Sequence, residues 1–301
     1  MSKKIYILLG ILALAALSAC HDFRDDKMVA DSVYLRSADD NLLQDYTIYD
    51  GTIRFGVIKA GKGLSTGRVE IGIATNDQLF QYNEDHETEF VALAKSHYNA
   101  DEIDGKVLEF SQDEARLKVD VKWDPQDMVN LMTSETDNFV IPVCIRSSNL
   151  AVSETKNLLL IHPVLTTLTV RDEDNSMTCK EESTFTAKVG VKLDNAIPGH
   201  DVKVKLSFNP AAMTVNGISY AAAPAGSITL VSDEVVINAG DIEADIEVDL
   251  DMSGVASGVN YIAGEIVIES ASVVIDGGTD IDFIPVKTSK MTVRVTKTKK
   301  A

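Results

Sequence analysis

Five histidines follow residue 20 as candidate general bases: His21, His86, His97, His162 and His200. A base is useful only beside a nucleophile that it can deprotonate. No Gly-x-Ser-x-Gly turn and no His-Glu-x-x-His pair accompanies them. His97, next to Tyr98, reads as structural. Glycoside hydrolysis needs two carboxylates facing across a cleft at a set separation. With 46 Asp+Glu in 301 residues, linear coincidences of acids carry no such information. A hydrolase is therefore the weakest reading, and no enzyme activity is expected. Two turns are rich in oxygen ligands of the kind calcium prefers: Asp172-Glu173-Asp174-Asn175, and the stretch holding Asp276, Asp280 and Asp282. Neither has EF-hand spacing. Solvated turns are the simpler account, with a structural calcium on Asp276, Asp280 and Asp282 as the alternative and no other cofactor expected. Saccharide binding would need exposed rings beside carboxylates or amides. Among one Trp, eight Tyr and nine Phe, the loop-side candidates are Trp123, Tyr82, Tyr98 and Tyr220.

The three cysteines divide by position. Lys3 and Lys4 precede an apolar run, Ile5 to Leu17, that only Tyr6 and Gly10 interrupt. The run is short for a membrane span, which takes about 20 residues, but suits a secretion signal. It ends in Leu17-Ser18-Ala19-Cys20, which resembles the lipobox of bacterial lipoproteins. That resemblance implies cleavage after residue 19 and acylation of Cys20; two or more acyl chains anchor stably where one does not. The acids Asp22, Asp25 and Asp26 resemble the export signal that takes Bacteroidota lipoproteins to the outer face of the outer membrane. Cys144 and Cys179 fall in different expected domains and read as small buried hydrophobes rather than a disulfide.

Charge narrows the partners. The net charge is −18, and residues 1–19 contribute only Lys3 and Lys4, so the chain beyond residue 19 is more acidic still. Such a surface repels phosphate backbones, and nucleic acid is not an expected partner. The exception is the C-terminal stretch, where Lys287, Lys290, Arg294, Lys297, Lys299 and Lys300 occur without an acid. It reads as a final strand with a basic end, or as a charged contact with acidic surface.

The elements that must carry these residues are strands. Period-two alternation marks Thr52–Lys59, Arg68–Ala74, Ala115–Lys122, Phe139–Arg146, Phe185–Lys192, Val202–Phe208, Ile242–Leu250, Tyr261–Glu269 and Ser289–Val295. In Ile242–Leu250 one face is wholly apolar and the other wholly acidic, as a half-buried strand requires. Helix is expected only over Glu87–Tyr98 and Pro125–Met132, the latter opening on Pro after Asp124. The strand order occurs twice. Phe55–Lys59 then Arg68–Ile71 is echoed by Val189–Lys192 then Val202–Lys205, Leu108–Val121 by Val235–Val248, and Phe139–Ile145 by Tyr261–Val267. The expected fold is all-β: two tandem immunoglobulin-like antiparallel β-sandwiches after a lipoprotein signal peptide. The signal is 1–19, a lipidated tether 20–29, and the domains 30–163 and 164–298. The joint is placed at His162-Pro163, where Pro is expected to end strand pairing.

Several motifs in the first domain bring a family into view. Leu79-Phe80-Gln81-Tyr82-Asn83, Leu93–Tyr98, Val107–Phe110 and Phe139–Ser147 resemble an N-terminal domain of unknown function in Bacteroidota surface lipoproteins of glycan-utilisation loci. Ala94 and Phe139 stand where that pattern has Pro and Tyr. The second domain matches more loosely, through Ile237–Asp241 and Tyr261–Ser270. The resemblance implies a non-enzymatic lipoprotein, membrane-anchored and facing the cell exterior. Its implied role is glycan binding or adhesion, or support of an outer-membrane uptake complex. A fimbrillin-like structural or adhesin subunit, donating the strand Ser289–Val295, is the rival. On the glycan reading, Trp123→Ala should weaken binding on a glycan array without unfolding the protein.

Overall fold

A computed structural model describes residues 31–36, 43–61, 65–132, 137–275, 280–282 and 286–299. The first ten strands are β1 (Ser32–Leu35), β2 (Leu43–Thr47), β3 (Thr52–Ala60), β4 (Gly67–Ile73), β5 (Val91–Ala92), β6 (Val107–Phe110), β7 (Arg116–Lys122), β8 (Phe139–Ser148), β9 (Ala151–Val152) and β10 (Leu158–Val164). They form two sheets, in the orders β7-β3-β1-β9 and β2-β10-β8-β4-β6, with β5 beside β8. Then come β11 (Thr167–Val170), β12 (Asp174–Lys180), β13 (Thr184–Asp194), β14 (Val202–Pro210), β15 (Met213–Val215), β16 (Ile218–Ala222), β17 (Ile228–Leu230) and β18 (Glu234–Ile237). The last are β19 (Glu243–Asp251), β20 (Tyr261–Val273), β21 (Ile281–Asp282), β22 (Val286–Thr288) and β23 (Lys290–Thr298). Their two main sheets run β17-β19-β13-β11-β22 and β12-β23-β20-β14-β18.

The two sets share one pairing scheme. β3 with β7 corresponds to β13 with β19, β4 with β8 to β14 with β20, and β4 with β6 to β14 with β18. The chain is thus an all-β protein of immunoglobulin-like sandwiches. The sheets are mixed rather than purely antiparallel: β2 runs parallel to β10, β12 to β23, β1 to β9 and β11 to β22. In each set the opening segment crosses from one sheet to the other, which ties the layers together by backbone.

Strand pairing does not end at Pro163. Pro163 lies inside β10, opposite Tyr46 of β2, and pairing continues to Val164. Pairing of β10 with β8 stops at Ile161, so the missing proline N–H is needed on neither side. The link after β10 is buried: Thr166 and Thr167 are both at 0% exposure, and Thr166 Oγ1 lies 2.8 Å from Thr47 Oγ1.

One expected helix is displaced. The helix α1 is Asn76–His86, not Glu87–Tyr98. Thr75 accepts from the Gln78 N–H, and the Gln78 side chain accepts from the Thr75 N–H, a reciprocal cap. Glu87, at φ 53°, ends the helix in the left-handed region. Leu79 and Tyr82 of α1 then cover the outer face of β8 and β10 with Val140, Cys144, Leu158 and Leu160, a second small core. The other helix, α2 (Pro125–Leu131), is capped by Asp124 as expected.

Cys144 and Cys179 are both free and buried. The basic end of the chain is drawn inward. β23 is paired on both edges, to β20 and β12, so it is not a spare strand. Arg294 makes two bonds to Asp174, at 2.7 and 2.5 Å, and Lys290 reaches Glu265 at 3.3 Å. Lys297, only 7% exposed, donates to the Val255 and Ala256 carbonyls.

Glycines make room for arginines on the outer faces. A side chain at Gly72 would collide with Arg146, and one at Gly190 with Arg171. Arg146 lies across Gly72 and pairs with Asp104, which also accepts from Lys95 Nζ at 2.6 Å and the Ile73 N–H at 3.2 Å. Burial pushes the Asp104 carboxyl up, but Lys95, the Ile73 N–H and Arg146 outweigh it and hold it below its ordinary range. A depressed carboxyl stabilises the fold above its unfolded pKa, and that contribution is lost as pH falls through the folded value. Asp104→Asn should therefore cost about 1–3 kcal/mol at neutral pH. The gap from wild type should shrink below pH 3.8, the ordinary carboxyl value. Urea titrations at both pH values measure it, and a gap that does not change with pH would refute this account.

Candidate functional site

The four rings expected to face a ligand are placed in packing roles instead. Trp123 is 6% exposed, and its indole N–H donates to the Ile48 carbonyl at 2.7 Å. Tyr82 lies beneath α1, stacked on His86 with ring centroids 4.0 Å apart. Tyr98 is buried and its hydroxyl has no hydrogen-bond partner among the described residues. Burial, and then the charge of Asp104, push that hydroxyl up to about 12. Tyr220 is buried under the Arg294 guanidinium, which sits 5.3 Å over its ring and donates to its hydroxyl at 3.2 Å. Each ring has its faces covered, that of Tyr220 by the Arg294 guanidinium and that of Tyr82 by the His86 ring. None is an exposed platform, which corrects the expectation for Trp123, Tyr82, Tyr98 and Tyr220.

The polar candidates are equally dispersed. His97 bonds Asp127 at 2.6 Å and His162 bonds Asp45 at 2.7 Å. Among the described residues neither imidazole shares a bond with a hydroxyl or thiol, so no nucleophile is primed. Burial raises the Cys144 thiol, which keeps it from being a reactive thiolate. Asp280 faces Lys203 at 3.7 Å, and Asp282 is exposed in β21 opposite Ser272. Asp276 lies outside the described residues, as do residues 1–19, Cys20, Asp22, Asp25 and Asp26. No group of three or more His, Cys, Asp or Glu positioned for a metal occurs among the described residues.

The most exposed rings among the described residues are phenylalanines. Phe185, at 52% exposure, opens β13. Its register partner is Leu250, which is fully buried, so Phe185 has the inward parity of Ala187, Val189 and Val191. It stands at the end of the strand, beyond the last filled layer of the core. Around it lies an open cleft of about 480 Å³, lined by Thr184, Thr186, Gly226, Thr229, Asp249 and Asp251. Register sets Thr184 opposite Asp251 and Thr186 opposite Asp249, with Thr229 on the far side of Asp249. The Thr186 hydroxyl donates to Asp249 at 2.6 Å. Asp251 accepts from the Ser253 N–H at 2.8 Å, and its hydrogen bonds to Ser253 lower its pKa.

Farther along the same face the acids are neutralised. Lys188 and Arg171 pair with Asp245, which lowers its pKa, Arg171 contributing most. Asp249 and Asp251 enter no ion pair among the described residues. Three threonine hydroxyls and two carboxylates without an ion pair among the described residues thus line the outer face of the cleft, and the Phe185 ring, of opposite parity, stands at its rim. That set takes a ligand with a C–H face and several hydroxyl donors. Sequence alone passed over Phe185 because it continues the apolar parity of its strand. The available signal was the preceding Glu181-Glu182-Ser183: Glu182 has φ 56°, so the strand begins at Thr184 and leaves its first apolar residue at the rim.

A Bacteroides family model described as a "-like" N-terminal domain matches residues 163–264, which contain this cleft. The match lies on the second sandwich, where the motif resemblance is looser, and not on residues 79–147. No curated protein matches the chain in sequence. Among solved structures, CBD12 from CALX1.2 is 8% identical at TM-score 0.41, covering 87% of this chain and 99% of its own. A "putative carbohydrate binding protein" from Bacteroides ovatus is 14% identical at TM-score 0.33, covering 88% and 64%. A 1.5-MDa bacterial ice-binding adhesin is 12% identical at TM-score 0.27, covering 90% and 65%. These similarities are too low to transfer a ligand, and the fold assignment rests on the chain's own strand pairing.

The buried setting of Trp123 changes what its removal should do. Trp123→Ala empties a core site and orphans the Ile48 carbonyl, at a cost of about 3–5 kcal/mol. A large drop in thermal midpoint is the expected outcome. A variant as stable as wild type would show that the ring is not part of the core.

Proposed function

We propose that this protein is a non-catalytic binding module that holds a neutral glycan at the cell surface. The observation that carries the reading is the Phe185 cleft, where an exposed ring stands beside Thr184, Thr186, Thr229, Asp249 and Asp251. One residue of the glycan would lay its C–H face on the phenyl group at the strand end. Hydroxyls of the adjoining residue would donate to the two carboxylates and exchange hydrogen bonds with the threonines on the outer face. The uncompensated acids disfavour anionic glycans, because like charge would approach without a cation to offset it.

Surface placement belongs to the same proposal. The support is the sequence from Lys3 to Asp26, with Cys20 as the acylated residue. The anchor would supply retention, and the outward-facing address would bring the sandwiches to the glycan.

Two measurements test the reading. On an array of neutral and acidic glycans the purified protein should bind neutral ones saturably. Phe185→Ala should weaken that binding about tenfold or more, a loss of roughly 1.4 kcal/mol, while the thermal midpoint holds. No saturable glycan binding, or equal binding by the variant, would reject the site. In cells, Cys20→Ala should abolish incorporation of a labelled fatty acid; labelling that survives would reject the anchor.

A further inference from the structure

The two most exposed large hydrophobic side chains among the described residues share one groove. Phe80 of α1 is 65% exposed and Val91 of β5 is 56% exposed. The groove holds about 590 Å³ between one wall of Asn76, Asp77, Phe80 and Asn83 and another of Phe90, Val91 and Ala92. Its floor is fixed. The Asn83 side-chain amide donates to the Phe90 carbonyl at 2.9 Å, and its oxygen accepts from the Phe90 N–H at 3.1 Å. Asn83 therefore occupies the outward backbone edge at Phe90 as a neighbouring strand would.

The same edge is open one step further on. β5 runs parallel to β8, with the Val91 N–H donating to Asn138 and the Leu93 N–H donating to Val140. Alternation along a strand directs the N–H and C=O of Ala92 the other way, toward the groove. Beside this short edge stand two exposed apolar side chains, the arrangement that receives an extended peptide by strand addition.

Charge selects the occupant. Asp77, Glu84, Asp85, Glu87 and Glu89 are all exposed on the helix and the turn after it. None of them enters an ion pair among the described residues. No Lys or Arg occurs in the sequence between Arg68 and Lys95. This rim repels anionic membranes and acidic segments, and attracts cationic ones.

We infer that the α1–β5 groove docks an extended, lysine- or arginine-bearing segment of a partner protein. One residue of the segment would bond Ala92 through its backbone. An adjacent apolar side chain would sit between Phe80 and Val91, with basic side chains over the acidic rim. The inference does not depend on the glycan reading, since it uses a different unit of the chain and a different ligand chemistry.

Fluorescence anisotropy of a labelled, capped peptide alternating valine and lysine, titrated with the full-length protein, tests it. Saturable binding that weakens with added salt is expected, about tenfold weaker for Phe80→Ser. Exchanging Glu84 and Glu87 for Gln should reduce the salt dependence, and neither change touches a buried residue. Ala92→Pro, which removes the outward N–H and fixes φ at that residue, should weaken binding if the variant retains the wild-type thermal midpoint. Absence of binding, equal binding by Phe80→Ser, or equal affinity for a valine–glutamate peptide would overturn the inference. So would a dimer in sedimentation that Phe80→Ser disperses, because the groove would then belong to a second copy.

Discussion

Each sheet of this protein has to hide one apolar face, and no covalent bond links Cys144 to Cys179 to help it. The fold consequently depends on close packing between paired sheets, worth about 25 cal/mol per Å² of apolar surface removed from water. That requirement claims the large rings first. Trp123, Tyr49 and Phe110 fill the first core, and Trp123 also needs a carbonyl for its N–H, which Ile48 supplies. Gly51, at φ +64°, turns the chain tightly enough for its own carbonyl to accept from the backbone N–H of Trp123 at 2.9 Å. A ring so held cannot also serve a ligand. The surfaces left for recognition are those where packing demand ends: the rim of a sandwich, and the outer side of a helix laid on a sheet.

Outer faces follow a second rule. An acidic chain must dispose of like charges on neighbouring strands, which are unfavourable when directly opposed. Here cations are laid among them. Arg54 forks onto Asp120 at 2.5 and 3.0 Å, and each partner shifts the other in the expected sense, Asp120 downward and Arg54 upward. Arg171 and Arg146 lie low over glycines, because any Cβ at Gly190 or Gly72 would occupy their space. Isolated exposed pairs of this kind contribute little stability each. Their larger effect is to remove charge from most of the surface. Asp249, Asp251 and the acids around α1 are among those left without such a partner among the described residues.

Much of this architecture was legible in the chain. Ile242–Leu250 alternates so strictly that its role as β19 needs no other information, and the doubled strand order anticipates the shared pairing scheme. Two kinds of feature were not legible. One is anything decided by a single local bond: the Thr75–Gln78 cap moves the helix to Asn76–His86, and Asn83 then fastens the loop that an apolar count reads as helical. The other is depth. Trp123 at a strand end and Phe185 at a strand start have the same kind of sequence context, yet one is at 6% and the other at 52% exposure. Burial at a strand terminus depends on what crosses over it, and that is set by segments far away in sequence. The aromatic candidates of the sequence were therefore chosen by ring type, while the fold selects by layer.

The chemistry of the proposed glycan cleft also constrains how such a module works. One phenyl face and a few exposed hydroxyls form a shallow site in which little of the ligand is enclosed, so a single contact is weak. Binding in this regime gains strength from repetition rather than from depth. Many copies held in one plane present many clefts to one polymer, and linked contacts exceed the affinity of any one of them without a new bond. On the proposed function this is where Cys20 enters the energetics. An acyl anchor confines each copy to the membrane surface, and the shallow Phe185 cleft becomes useful because it is displayed in number. A deep pocket would need no such arrangement. On that proposal, a shallow site and a confining anchor would each supply what the other lacks.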